Sequence, residues 1–136
     1  MMFTTLTSLQ VASFWSGLLV LLLVVLSARV VMNRRKHRVL LGDGGLAEMT
    51  VATRAFGNAA EYIPAGIGAL ILLALIGTPA WAVQLVGGAM FIGRLIHPMG
   101  IKTTGGVTLP RLVGMVFTLV SLIGAGIILL VQPLLG

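Results

Sequence analysis

Arg54, Asn58, Glu61 and Tyr62 stand in the run RAFGNAAEYIP, where everything around them is apolar. Their spacing of i, i+4, i+7 and i+8 puts all four on one face of an α-helix. Arginine can hold a carboxylate and glutamate an ammonium. Asparagine offers donors and an acceptor, and tyrosine a hydroxyl. Such a face suits a small zwitterionic ligand; the competing reading is a self-satisfied polar network that glues helices together. A charge near hydrocarbon is costly and persists where it is paired and used. Arg94 and His97 follow at i and i+3 in another apolar stretch, near the same membrane side. A histidine beside an arginine suits a proton shuttle, although a capping or interfacial place is the simpler role. Arg111 comes directly after Pro110, and Arg34 and Arg35 open a basic run ending at Arg38. Each also fits an anchor that snorkels to the head groups. Arginines gathered at one face repel unless an anion joins them, so an anionic ligand is expected there. No second histidine lies at metal-ligand spacing and cysteine is absent, so no metal site is expected.

The elements that must carry these groups are membrane helices. Of the 136 residues 58% are hydrophobic and 9% charged, a balance too apolar for an ordinary water-soluble domain. Four segments reach the roughly 20 apolar residues a span requires: Val11 to Met32, Ala47 to Ile76, Ala80 to Ile101 and Leu112 to Leu135. The second is too long to lie wholly in hydrocarbon, so its first turns, with Arg54, sit at the interface or the helix tilts. The N-terminal stretch lacks a basic n-region and exceeds the usual apolar core of a signal peptide, so it reads as a retained helix. No soluble segment remains, which predicts one membrane domain over residues 1–136.

The net charge of +6 is not a nucleic-acid signal, because it is concentrated directly after the first span. Under the positive-inside rule the first and third connections are cytoplasmic and both termini lie outside. The short uncharged connection Gly77-Thr78-Pro79 fits the outer side. Gly42, Asp43, Gly44 and Gly45 form a turn cluster in the first connection. Pro64 should kink the second span and Pro98 the third. Residues 102–110 read as a loop centred on Gly105 and Gly106, and Pro110 suits the first turn of the fourth helix. Small residues at Gly66 to Ala69, Gly87 and Gly88, and Gly124 to Gly126 permit close helix packing. There is no internal repeat of the kind that builds inverted-repeat transporters.

The pattern R-x3-N-x2-E-Y-x-P, here Arg54, Asn58, Glu61, Tyr62 and Pro64, resembles the signature of the MAPEG family, the membrane-associated proteins in eicosanoid and glutathione metabolism. The basic stretch NRRKHRV, the stretch GRLIHPMG and the stretch LPRLVGM support it by order and position. The resemblance implies an all-α integral membrane protein, a four-transmembrane-helix bundle assembling as a homotrimer. It implies glutathione bound between neighbouring subunits near the cytoplasmic side. Arg54, Asn58, Glu61 and Tyr62 would contact glutathione, Arg34 or Arg35 would hold a carboxylate, and Arg94 and His97 would belong to the same glutathione-binding set. Arg111 would polarise the thiol. A thiol ionises near pH 8.5, and a guanidinium beside the sulfur favours the thiolate. That nucleophile would attack a lipophilic electrophile dissolved among the membrane lipids. The resemblance thus implies a glutathione-dependent transferase or peroxidase, in a bacterial inner membrane. Where strongly active family members carry tyrosines on the third helix, this chain has His97 and Ile101. A non-catalytic lipid-binding or scaffold protein of the same fold is the alternative. A small multidrug transporter is disfavoured, because its first span would carry a carboxylate and this one has none.

Overall fold

The computed structural model describes residues 6–103 and 106–135. Gly105, half of the glycine pair expected at the centre of the last loop, lies outside the described residues, as do Met1–Thr5 at the start of the N-terminal stretch. The described chain is all-helical: α1 Ser8–His37, α2 Ala47–Leu75, α3 Ala80–Ile96, a 3-10 turn His97–Gly100, and α4 Leu109–Leu135. Four helices are long and apolar enough to cross a membrane, the third counted through Gly100.

The helix ends follow local chemistry. Thr7 and Gln10 form a capping box at the start of α1, each side chain bonding the other's backbone N–H. At its far end α1 continues past the expected Met32 as far as His37. Arg34, Arg35, Lys36 and His37 are therefore the last turn of a helix and not a loop. Arginine and lysine are good helix formers, and their charges favour the negative end of the helix dipole. Arg38 then ends α1 in the left-handed region, with φ 54°. The third helix was expected to run through a kink at Pro98 to Ile101; its α-helical part ends at Ile96 instead. Pro98 has no N–H for the Arg94 carbonyl, and the chain tightens into the 3-10 turn. Pro64 sits inside α2, which stays helical on both sides of it. α4 begins at Leu109, earlier than expected, with Pro110 in its first turn.

α1 packs chiefly on α2, and α3 on α4. Leu19, Ile63, Leu70, Leu73 and Met90 are fully buried between them. Glycines set the closest approaches. A Cβ on Gly66 would strike Met90, and one on Gly87 would strike Trp15. Gly93 and Gly114 meet where α3 crosses α4: a Cβ on Gly93 would lie 2.7 Å from the Gly114 carbonyl oxygen. Gly124 and Gly126 face open space, and Ala125 between them is the buried residue. Outward-facing Leu21, Val25, Ile123 and Leu130 form an apolar exterior suited to lipid chains.

Where α2 turns into α3, polar groups close on one another. The Thr78 hydroxyl donates to Gln132 Oε1 at 2.8 Å, and Gln132 Nε2 donates to the Ile76 carbonyl at 3.0 Å. The Ser8 hydroxyl donates to the Thr78 carbonyl at 2.6 Å. This clasp ties the first turn of α1 and the last turns of α4 to the α2–α3 connection.

Candidate functional site

At the opposite end, the α1–α2 and α3–α4 connections and the first turns of α2 enclose a cavity of about 570 Å³. That volume lies within the range of small-molecule sites. Arg54, Asn58, His97 and Arg111 line it, and so do Asp43 and Lys102. Four expected site residues are thus brought together from three parts of the chain.

The α3–α4 packing puts Arg111 there. Gly100 has no side chain, and a Cβ on it would overlap the backbone nitrogen of Arg111. A Cβ on Gly114 would lie 2.7 Å from the Cα of His97. The glycines therefore let the first turns of α4 press against the 3-10 turn. The Thr108 hydroxyl donates to the Gly100 carbonyl at 2.6 Å and fixes the entry to α4. His97 is buried in this contact and reaches the cavity.

Arg94 is placed differently from its neighbours. It is only 1% exposed and does not line the cavity. Its Nε donates to Thr118 Oγ1 at 2.8 Å and its Nη1 to Asn58 Oδ1 at 2.7 Å, while its guanidinium carbon lies 5.0 Å from the Tyr62 ring centroid. A guanidinium over an aromatic face is attractive. No carboxylate pairs with it among the described residues, where both ion pairs use Glu48. Arg94 thus joins α2, α3 and α4. It also orients Asn58. A guanidinium has only donors, so the Asn58 atom facing it must be the carbonyl oxygen. Asn58 itself lines the cavity, and its amide NH2 is not used by Arg94.

The remaining expected residues fall elsewhere. Tyr62 lies against Arg94. Glu61, with Arg54 and Asn58, lines a small neighbouring pocket of about 50 Å³. Arg34 turns back on the connection after α1, its Nη1 donating to the carbonyls of Leu40 and Gly42 at 3.1 Å each. Arg35 is exposed and does not line the cavity.

Asp43 was read only as part of a turn, yet its carboxylate is a built feature of the site. Oδ1 accepts from the Gly45 N–H at 3.0 Å, and Oδ2 accepts from the Thr50 hydroxyl at 2.8 Å. The Gly45 N–H, then the Thr50 hydroxyl, hold its carboxyl below the usual carboxylate range. Gly45 has φ +72°, so glycine suits the turn that presents this N–H. Thr50 lines the cavity too. It lies four residues before Arg54, so extending the stripe back one turn finds it. No spacing rule points to Asp43 or Lys102, which reach the cavity through the two connections.

Fold and site together define an all-helical bundle of membrane-spanning length with a cation-rich cavity at one end. The chain belongs to the MAPEG family, whose model matches residues 12–131. It is 39% identical over 91 residues, 67% of this chain and 70% of the relative, to inner membrane protein YecN of Escherichia coli (strain K12). YecN of Escherichia coli O6:H1 matches to the same degree. No solved structure matches the chain.

Proposed function

We propose that this protein is a glutathione-dependent transferase or peroxidase of the bacterial inner membrane, acting on a lipophilic electrophile. The observation that carries the reading is the meeting of Arg54, Lys102 and Arg111 at one cavity. Among the described residues none of these cations forms an ion pair or hydrogen bond with the protein. Cations gathered without protein partners suit an anionic ligand, and glutathione carries two carboxylates and an ionisable thiol. Arg54 and Lys102 hold carboxylates, and the Asn58 amide donates into the site. Arg111 lies beside the sulfur and favours its thiolate, the attacking nucleophile. The protein contributes position and electrostatic stabilisation, without a covalent enzyme intermediate. The electrophile arrives from the lipid. Assembly as a homotrimer, with both termini outside and the cavity cytoplasmic, offers the exposed Glu61 and Arg35 to a neighbouring copy.

A second reading, a non-catalytic lipid-binding or scaffold protein, has one observation in its favour. The chain has 1 tyrosine, Tyr62, and it lies against Arg94, so no phenol lines the cavity.

The test uses the purified protein. Millimolar glutathione should raise the unfolding temperature, and an analogue lacking a carboxylate should raise it less, because a ligand bound only by the folded state stabilises it. Arg111→Ala should lower conjugation of a model electrophile by about a hundredfold while the thermal shift largely remains. Absence of any shift with glutathione removes the transferase reading. A shift without conjugation by the unaltered protein favours the second.

A further inference from the structure

We propose that residues 39–42, in the connection between α1 and α2, dock on an anionic phospholipid surface, with the Leu40 and Leu41 side chains among the upper acyl chains and Arg38 on a lipid phosphate. The proposal is independent of the glutathione reading above.

Leu40 is 90% exposed and Leu41 88%, the highest values among the large apolar side chains of the described residues. Single exposed leucines are ordinary. These two are adjacent and lie beyond the end of α1, in an irregular connection. Both helices that it joins are of membrane-spanning length, which keeps the connection close to the bilayer surface.

Irregular backbone enters a membrane only where its polar groups find partners. Arg34 meets that need from the protein side. Its Nη1 donates to the carbonyl oxygens of Val39 at 3.4 Å and of Leu40 and Gly42 at 3.1 Å each. Only Nη1 is used, so the other N–H groups of this guanidinium stay available to a ligand. The N–H groups of Leu40 and Leu41 have no protein acceptor among the described residues. These free donors set the depth. The backbone lies at the level of the head groups, where phosphate and ester oxygens accept, and the leucine side chains reach hydrocarbon.

The charge fits the same partner. Arg38 is exposed, and its guanidinium has no ion pair among the described residues. It closes the basic run that begins at Arg34, and basic runs beside a span are drawn to anionic leaflets. A second copy is the poorer complement to this segment, because the chain carries 9 Lys and Arg against 3 Asp and Glu. Asp43 follows two residues after Leu41 and lines the cavity. Docking therefore ties one edge of the cavity to the membrane surface.

The chain has no cysteine, so Leu41→Cys offers a single site for an environment-sensitive fluorophore, at a side chain that makes little contact with the fold. The labelled full chain is reconstituted in vesicles of phosphatidylcholine with or without phosphatidylglycerol. With phosphatidylglycerol, emission should shift to the blue, and lipids carrying a nitroxide high on the acyl chain should quench it. Both effects should shrink in phosphatidylcholine alone, and Arg38→Gln should shrink them to that level in the anionic vesicles. Arg34→Gln should also weaken the quenching, because the carbonyls of Val39, Leu40 and Gly42 then stay with water. Water-like emission without quenching in the anionic vesicles overturns the proposal. So does a blue shift that lipid nitroxides do not quench, which means that protein, such as a second copy, covers the segment. Equal quenching in both kinds of vesicle, with or without Arg38, overturns it as well, since head-group charge then has no part in seating the segment.

Discussion

Where α2 turns into α3, Ser8, Thr78 and Gln132 use one another and nearby carbonyls as partners. At the other end Arg54, Lys102 and Arg111 face a cavity of about 570 Å³ with no protein partner among the described residues. One helical framework supports both. Polar groups in a low-dielectric setting must be satisfied, so the closed end supplies its own partners; the cations of the open end are exposed, and it is they that the proposed ligand would meet. A polar residue in a membrane helix therefore marks a site only when its capacity is left over. Arg94 stands at the boundary between the two conditions. Its guanidinium is engaged on all sides, and it passes order to the cavity through Asn58.

Breaking that boundary should have the largest effect. Arg94→Ala leaves Asn58 and Thr118 without their donor, strips Tyr62 of its stacked partner and opens a void between three helices. The cost should be about 3–5 kcal/mol in thermal or denaturant unfolding, in the range of a large-to-small core change. The thermal shift with glutathione should be lost as well, because the Asn58 amide is free to turn. Arg94→Lys should recover part of the stability only, since a single ammonium cannot serve Thr118 and Asn58 as a planar fork does. If Arg94→Ala unfolds normally, the guanidinium does not join these helices in the membrane.

The closed end should lose stability without losing the response to glutathione. Gln132→Leu removes the acceptor of Thr78 and the donor to Ile76. Thr78 is 1% exposed, so its hydroxyl is left buried and unpaired. Unfolding should become easier by about 1–3 kcal/mol, with the same glutathione shift as the unaltered protein. A lost shift would show that the two ends are coupled through the length of the bundle.

The same contrast explains what the sequence revealed. The four spans follow from length and hydropathy, and the stripe from Arg54 to Tyr62 follows from helical spacing. Spacing cannot say whether a polar side chain faces a neighbour or a void. Arg94 does not line the cavity: it meets the Tyr62 ring and bonds Asn58 and Thr118, which come from α2 and α4, contacts that spacing along one helix does not show. Asp43 looked like a turn residue, because the connection that carries it folds over the stripe only in three dimensions. The run of arginines after the first span read as a loop, since its charge signals a membrane surface whether the backbone is helical or not. The Gly93–Gly114 crossing was likewise hidden, because one sequence does not say which glycines meet.

The smallest effect should come from the charged surface beside the open end. Lys36 Nζ lies 2.9 Å and His37 Nε2 2.8 Å from Glu48 Oε2, joining the end of α1 to the start of α2. This junction borders the connection that carries Asp43 without lining the cavity. Glu48 and Lys36 are both well exposed, so solvent and salt screen the pair. Glu48→Gln keeps an acceptor for Lys36 and loses only the charge, so stability should fall slightly at low salt and by less at high salt. Glutathione affinity should stay the same, because Glu48 does not line the cavity. A loss of stability as large as that of Arg94→Ala, or weaker glutathione binding that salt does not relieve, would place this junction within the open end. The partnerless groups would then depend on a surface clamp as well as on Arg94.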